Sequence, residues 1–139
     1  EDLPIITQLL KANKLPYADV PVKLDSIFLS RVDSKVVGIG GIELHGRYGL
    51  LRSLAIASPF RGKGYGRMFV RELIEHARTK GIEEIYLLTT TATSFFAKIG
   101  FEKVDRHIVP PAIQNTSQFV SLCPDSATCL RQVLLQRSL

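Results

Sequence analysis

The sequence is poor in the residues that build disulfide frameworks and metal centres. Among 139 residues there are two cysteines, three histidines, one methionine and no tryptophan. Cys123 and Cys129 form no C-x-x-C motif and have no histidine at zinc spacing, which argues against a disulfide framework and a structural metal site. We therefore expect no metal cofactor and two cysteines that are buried as small apolar residues.

The sequence also lacks a long apolar run and a signal-peptide pattern. A membrane-spanning helix needs about 20 consecutive apolar residues, and no segment approaches that length. We expect a cytoplasmic protein without a membrane partner. Because 45% of the residues are hydrophobic, the chain can bury an ordinary core, and its length predicts a single domain over residues 1–139.

The net charge of +5 is unevenly distributed along the chain. Between His45 and Lys80 there are eight lysines and arginines against two glutamates, so the rest of the chain is close to neutral. Such a concentrated positive field favours a polyanionic ligand, which is either a phosphorylated small molecule or a nucleic acid. The sequence has no aromatic-rich strand of the single-strand-binding type and no helix-turn-helix pattern, so we expect no nucleic-acid partner.

A glycine-rich segment lies within this basic region. Residues 51–57 have the pattern of a strand, and Arg61-Gly-Lys-Gly-Tyr-Gly66 follows them before an amphipathic helix. The spacing fits neither a Rossmann fingerprint nor a Walker loop, since Lys63 is followed by glycine rather than by serine or threonine. The glycines either only permit a tight turn or let backbone N–H groups converge on a pyrophosphate at the helix N-terminus. The basic surroundings favour the second interpretation.

The remaining sequence predicts further elements around this turn. Helical spacing of apolar residues predicts a first helix over residues 3–10, and two apolar runs predict a hairpin of strands over residues 26–33 and 36–44. These strands and the one ending at residue 57 are antiparallel. The amphipathic helix is expected to end at Gly81. The apolar run over residues 84–89 then predicts a buried strand, which is parallel to the 51–57 strand if the helix between them is a right-handed crossover. Downstream we expect a short helix capped by Thr90 or Thr91 and ended by Gly100, a strand near residues 101–105, a short helix opened by Pro110-Pro111, and a last strand over residues 127–135.

Three motifs follow one another in a fixed order along the chain. They are Leu54–Pro59, Arg61–Gly66 and Phe95–Phe101. In order and spacing they resemble the GNAT superfamily of acetyl-CoA-dependent N-acetyltransferases over about residues 36–104. The resemblance implies an α/β (α+β) fold with a central mixed sheet, mostly antiparallel, a parallel pair splayed at the cofactor site, and flanking helices. The family usually begins with an edge strand, so either residues are missing upstream of Glu1 or the sheet lacks its first strand.

Four further segments carry a finer resemblance. Leu50–Leu54, Tyr86–Ala92, Val109–Gln114 and Ser121–Ala127 are similar to the arsenic-resistance N-acetyltransferase branch, and the first two also resemble N-acetylglutamate synthases. This likeness implies an acceptor that is an amino acid or an analogue of one, with a link to arsenic resistance. It also raises the alternative that the two cysteines bind a trivalent metalloid as thiolates.

The superfamily resemblance implies which residues bind acetyl-CoA. Backbone N–H groups of the glycine turn would bind the pyrophosphate, and Arg61, Lys63 or Arg67 would reach further phosphate oxygens. Unpaired main-chain groups beyond the splay would bind the pantetheine arm as an added strand, and an N–H near Leu54 or Ala55 would polarise the thioester carbonyl. The implied cofactor-binding residues are Leu54, Ala55, Ile56, Arg61, Gly62, Lys63, Gly64, Tyr65, Gly66, Arg67, Thr89 and Phe96.

The proton-transfer residues depart from the family pattern. Many relatives have a tyrosine four residues before the glycine of the Gly-Phe pair, where it protonates the departing thiolate, but Phe96 occupies this position. Glu43 is the nearest acid to the expected centre and is the candidate base, while Tyr86 is a candidate to order a water or donate a proton. The alternative for Glu43 is an exposed acid at a strand end. We interpret His45 as an ordinary turn residue.

The candidate acceptor-binding residues centre on an arginine in an otherwise apolar strand. Arg52 needs an anionic partner, because burying an unpaired charge is costly. We predict that it binds a carboxylate of the acceptor, with Ser53 beside it and Arg106 at the border of the same pocket. An ion pair with Glu43 or another nearby acid is the alternative.

These observations together predict an N-acetyltransferase. It would move an acetyl group from acetyl-CoA to the primary amine of a small, carboxylate-bearing molecule. A non-catalytic acyl-CoA-binding or regulatory module is the competing interpretation, because the tyrosine of the family pattern is absent at Phe96. Relatives often dimerise, and the sequence is compatible with a homodimer.

Overall fold

The computed structural model of the chain describes residues 27–32, 35–57, 62, 64–116, 119 and 127–134. The helix expected over residues 3–10 and any first edge strand lie outside these ranges. Arg61, Lys63 and Cys123 lie outside them as well. In the described part of the chain, no helix is long and apolar enough to cross a membrane.

The described strands and helices follow each other in an order close to the one expected from the sequence. They are β1 (Ile27–Val32), β2 (Lys35–His45), β3 (Tyr48–Ile56), α1 (Tyr65–Thr79), β4 (Glu84–Thr89), α2 (Thr93–Ala97), β5 (Glu102–Lys103), a 3₁₀ turn (Arg106–Ile108), α3 (Pro111–Gln114) and β6 (Thr128–Val133).

The strands form one mixed sheet in the order β1-β2-β3-β4-β6-β5. All neighbours are antiparallel except β3 and β4, which run parallel on either side of the crossover helix α1. The expected mixed and mostly antiparallel sheet is therefore confirmed. Strand β6 lies between β4 and β5. Residues 104–127 connect β5 to β6, and a connection of this length does not predict where in the sheet the last strand joins.

The parallel pair β3 and β4 is splayed. Its register holds only from Tyr48 opposite Glu84 to Leu50 opposite Tyr86, although β3 continues to Ile56 and β4 to Thr89. Beyond Leu50, β3 stays paired with β2, and beyond Tyr86, β4 stays paired with β6. One edge of each strand thus faces the separation between them, which we call the cleft. The splayed pair expected from the family resemblance is confirmed.

A β-bulge in β3 lies at the start of this cleft. Gly41 pairs with Arg52 but Ile39 pairs with Ala55, so β3 has one extra residue opposite β2. Ser53 within this stretch has φ 61, in the left-handed region. The extra residue reverses the side-chain alternation, because Leu51 before it and Leu54 after it both pack against the same core under α1.

Among the described residues, an apolar core lies on each face of the sheet. On one face, α1 buries an apolar stripe of Phe69, Val70, Leu73, Ile74 and Ala77. It lies close to β2, since a Cβ on Gly40 would meet Leu73 Cδ1 at 2.8 Å. On the other face, Leu50, Tyr86 and Cys129 are covered by Val109 and Ile113 from the 3₁₀ turn and α3. The second face is the one that carries the candidate catalytic side chains.

Candidate active site

The glycine turn leads directly into α1. Gly62 has φ 78 and Gly64 has φ 84, and a Cβ at either position would meet open space. Backbone conformation, rather than lack of room, therefore explains why these two residues are glycines. Gly66 is different, since its Cβ would lie 3.2 Å from Phe95 Cζ and 3.6 Å from Ile56 Cγ1. This close contact places the first turn of α1 beside the end of β3.

The N-terminus of α1 can attract an anion. Its first turn has no acidic residue, and no side chain caps it. The first intrahelical bond runs from Met68 N to Gly64 O at 3.2 Å, so the N–H groups of Gly66 and Arg67 have no acceptor within the helix. These donors and the helix dipole fit a pyrophosphate group. Arg67 is exposed next to them.

Thr89 closes the β4 side of the cleft. Its Oγ1 accepts a hydrogen bond from Ala92 N at 3.0 Å, at the start of α2. The N-cap residue of α2 is Ala92 and no side chain caps this helix, so the capping role that we expected of Thr90 or Thr91 was wrong. Because a threonine hydroxyl both accepts and donates, Thr89 still has a proton to donate toward the cleft. Its contact with pantetheine stays a prediction.

Phe96 contributes packing in place of a phenol. Its side chain is 6% exposed within the core under α1, and its ring meets Phe95 and Phe101 edge to face at centroid distances of 5.0 and 5.6 Å. This position therefore supplies no proton donor, as the sequence already indicated.

Glu43 is buried and paired. Its side chain accepts a hydrogen bond from Arg52 Nη1 on Oε2 at 3.0 Å, and His45 Nε2 lies 3.0 Å from Oε1. With 3% of the residue exposed, the alternative of an exposed acid at a strand end is wrong. The alternative of an ion pair between Arg52 and Glu43 is what the structure shows. The side chain of Arg52 has no exposed surface.

A second bond ties Arg52 to its neighbour in sequence. Arg52 Nε donates to Ser53 Oγ at 3.0 Å. In a regular strand, adjacent side chains point to opposite faces and cannot make this contact. The left-handed φ of Ser53 turns its hydroxyl toward Arg52. That conformation costs about 1–2 kcal/mol for an L-residue, and a hydrogen bond to a charged group contributes about 1.5–3 kcal/mol, so the bond can offset the strain.

Tyr86 lies at the closed end of the cleft, opposite Leu50. It is 1% exposed, its ring meets Tyr48 edge to face, and its hydroxyl donates to Glu84 Oε1. Burial, followed by the hydrogen bond to Glu84, raises the pKa of Tyr86 to about 12. The phenol therefore keeps its proton at neutral pH and is a donor, not a base.

Arg106 borders the same face of the sheet from the 3₁₀ turn. It donates from Nη2 to Ala127 O at 3.1 Å, and its guanidinium lies 5.8 Å from the ring centroid of Phe119. These contacts tie the 3₁₀ turn to the start of β6. The acceptor-binding role of Arg106 stays a prediction.

Cys129 is part of the core on this face, and burial raises the pKa of its thiol to about 11. The free thiol is therefore protonated at neutral pH, and a metalloid bound here would have to displace its proton. In the described ranges, no group of three or more His, Cys, Asp or Glu side chains could hold a metal ion. Cys123, the other half of the metalloid alternative, falls in a part of the chain that the structure does not describe.

Comparison with known proteins identifies the family. The sequence profile of the Acetyltransferase (GNAT) family matches residues 11–101. The chain belongs to this family. The superfamily resemblance seen in the sequence is thus confirmed, and the splayed pair with its adjacent glycine turn is the corresponding part of a GNAT fold.

Relatives of this GNAT chain include several N-acetyltransferases. It is 26% identical over 103 residues to an N-acetyltransferase of Chlorobaculum tepidum, which covers 73% of this chain and 64% of that protein. It is 33% identical over 72 residues to an amino-acid acetyltransferase of Mycobacterium tuberculosis. The match covers 51% of this chain and 41% of that protein. The chain spans from 31% to 64% of the length of three curated relatives.

Solved structures show the same fold. The Mycobacterium tuberculosis protein Rv2747, in complex with CoA and NLQ, superposes with a TM-score of 0.80 at 22% identity, covering 96% of this chain and 95% of that one. The N-acetylglutamate synthase of Neisseria gonorrhoeae, complexed with coenzyme A and N-acetyl-glutamate, superposes with a TM-score of 0.82 at 19% identity. The match covers 97% of this chain and 33% of that one.

Sequence reasoning overlooked His45. We interpreted it as a turn residue, but it is bonded to the buried carboxylate of Glu43. A signal was available, because residues two apart on a strand share a face. Without the cross-strand register that brings Arg52 to that face, nothing in the sequence indicated that His45 joins a buried network.

Proposed function

We propose that this chain is an acetyl-CoA-dependent N-acetyltransferase whose acceptor is the primary amine of a small, carboxylate-bearing molecule. The observation that carries the proposal is the cleft itself. β3 and β4 separate beyond Leu50 and Tyr86, and the N-terminus of α1 lies at the end of β3 through the contact of Gly66 with Ile56. A strand edge and a helix N-terminus are thus placed to bind the two ends of one extended ligand.

The residues at the cleft fit coenzyme A. Left-handed glycines and the N–H groups of Gly66 and Arg67, which have no acceptor within α1, suit its pyrophosphate. The cleft-facing edge of Leu54, Ala55 and Ile56 suits its pantetheine arm. Two structural neighbours were solved with CoA, which supports the same assignment here.

Transfer requires an electrophilic carbonyl, an unprotonated amine and a protonated leaving thiol. We assign polarisation of the carbonyl to the backbone N–H of Leu54, because the N–H of Ala55 points toward β2, where Ala55 is paired with Ile39. We assign proton donation to Tyr86, directly or through one water. The phenol would exchange its hydrogen bond to Glu84 for one to the leaving thiolate, pass its proton there, and regain a proton from the ammonium formed when the amine attacks. Glu43 has both oxygens engaged with Arg52 and His45, which favours a role in holding Arg52 over proton abstraction.

An amino acid or an analogue is the proposed acceptor. Two relatives that match about half of this chain are amino-acid acetyltransferases, from Mycobacterium tuberculosis and Photorhabdus laumondii. The arsenic link rests on the sequence segments alone, and an arsenical amino acid therefore belongs in the acceptor panel. Calorimetry with trivalent arsenite tests the metalloid alternative, which ends if the wild-type protein binds none.

A non-catalytic acyl-CoA-binding module is the second candidate. Phe96 in place of a phenol and a carboxylate already paired at Glu43 both favour it. It would keep the cleft and the cofactor but not the turnover.

One experiment separates the two candidates. Isothermal titration with CoA and acetyl-CoA is followed by measurement of free thiol release with glutamate, glutamine, other amino acids, an arsenical amino acid and their carboxamides. Binding with thiol release that depends on the amine supports the enzyme. Binding without release on any amine supports the module, and a folded protein that binds neither CoA nor acetyl-CoA overturns both.

A further inference from the structure

We propose that His45, Glu43 and Arg52 form a positioning chain that holds Ser53 in its left-handed conformation and so aims the N–H group of Leu54 into the cleft. Ala55 is paired with Ile39 of β2, and its N–H points to the same edge as that of Ala57, which donates to Val37 O. This inference rests on the proposed function, because it assigns the N–H of Leu54 to the thioester carbonyl. It gives Arg52 a different task from the one predicted from the sequence.

The chain is continuous in the structure. His45 bonds Oε1 of Glu43, Arg52 bonds Oε2 of Glu43, and Arg52 Nε bonds Ser53 Oγ, each at 3.0 Å. The register places the three charged or titratable side chains on one face, since Gly41 is opposite Arg52, Glu43 opposite Leu50 and His45 opposite Tyr48. The chain therefore runs along the sheet from its partly exposed end at His45 to the bulge.

Ser53 decides the direction of β3 beyond this point. It is the one non-glycine residue with positive φ in the described part of the chain. Strained residues of this kind persist where their surroundings fix them, and they cluster at functional sites. Here the strain lies just beyond Leu50, the last residue paired with β4, and directly before Leu54 in the cleft.

The burial of Arg52 favours this role over contact with an acceptor. Its side chain has no exposed surface, and Glu43 balances its charge inside the protein. Its Nε points along the chain to Ser53. A guanidinium held in this way is suited to fixing the local backbone.

The test compares two substitutions at the same residue. Ser53→Gly removes the hydroxyl but adopts positive φ readily, whereas Ser53→Ala removes the hydroxyl and keeps the steric cost of that conformation. We expect kcat to fall at least about 10-fold further in Ser53→Ala than in Ser53→Gly, since misplaced catalytic groups cost up to about 10²-fold. The dissociation constant of CoA, which has no thioester carbonyl, should stay unchanged. Equal losses of kcat in both variants would overturn the proposal, because the hydroxyl itself would then be the functional group.

The second test of the proposal is the variant Arg52→Lys. Lysine keeps the charge opposite Glu43, so the variant is expected to fold, but it has no Nε–H to donate to Ser53. We expect kcat to fall with carboxylate and carboxamide acceptors alike, and the added Ser53→Gly to restore most of it. Arg78→Lys, at the exposed end of α1, is the matched control and should leave kcat unchanged. A rise in KM for carboxylate acceptors only, without rescue by glycine, would overturn the proposal and return Arg52 to acceptor binding.

Unfolding by denaturant supplies a readout that is independent of turnover. Arg52→Lys should destabilise the wild-type protein more than it destabilises the Ser53→Gly protein. Equal destabilisation in both backgrounds would overturn the positioning chain even in an active enzyme. Unequal destabilisation in a protein without turnover on any amine would instead overturn the proposed function alone.

Discussion

Glu43 and Arg52 form a buried ion pair across two neighbouring strands, with 3.0 Å between Oε2 and Nη1. Their side chains are 4% and 0% exposed. Because both charges have been removed from water, each depends on the other for compensation. This pair lies beside the point where β3 leaves β4, so it connects the stability of the sheet with the shape of the cleft.

Removal of one partner should therefore be costly. We expect Glu43→Ala to lower the free energy of unfolding by about 3–5 kcal/mol, because the buried charge of Arg52 loses its bond to this carboxylate. Chemical denaturation monitored by circular dichroism measures the change. Glu75→Ala is the control, since Glu75 pairs with Arg78 on the surface at 3.4 Å and such pairs contribute at most about 1 kcal/mol. Similar losses in both variants would contradict the assignment of Glu43 to a buried pair.

The left-handed glycine before α1 should be required for cofactor binding. Gly64→Ala forces an L-residue into φ 84 and costs about 1–2 kcal/mol, which we expect to reorient the turn and weaken CoA binding about 10-fold. Gly46→Ala is a matched control, because Gly46 has φ 67 and open space around its Cβ but lies in the turn between β2 and β3. Calorimetric titration that shows equal loss of affinity in both variants would place the pyrophosphate elsewhere.

The sequence predicted those elements whose signal is local. The apolar stripe and Gly81 located α1, which runs from Tyr65 to Thr79 and is followed by Gly81 at φ 83. The strand over residues 84–89 was predicted with its observed bounds. The family resemblance, rather than any periodicity, supplied the splay of the parallel pair.

The details of the candidate site were less accessible, because they depend on the pairing of distant residues. The partnership of Glu43 with Arg52 follows from the register of β2 against β3, which is shifted by the bulge at Ser53. No residue pattern in the sequence marks a serine for positive φ. The sequence therefore offered the ion pair as one of two alternatives for Arg52, and it gave no role to His45.

Tyr86 should be detectable by its ionisation. Its pKa is raised from 10.0 to about 12 in the folded protein, mainly by burial, so the folded state favours the neutral phenol. The contribution of this group to stability is therefore complete below pH 10 and is lost as the pH rises toward 12. When the folded protein is titrated with base and its tyrosinate absorbance is followed, we expect one tyrosine to ionise well above pH 10. This late step should be absent in Tyr86→Phe. If every tyrosine of the folded wild-type protein ionised near pH 10, this result would contradict the burial of the Tyr86 phenol.

Restoring a tyrosine at position 96 should not restore the family's proton donor. The ring of Phe96 lies in the core between Phe95 and Phe101 and is 6% exposed. A hydroxyl added there without a partner would lower the free energy of unfolding by about 1–3 kcal/mol. We expect Phe96→Tyr to reduce stability in denaturant titrations without increasing the rate of thiol release, with Phe101→Tyr as a comparison in the same aromatic cluster. An increase in kcat with stability unchanged would instead show that position 96 faces the departing sulfur and that the substitution supplies the missing acid.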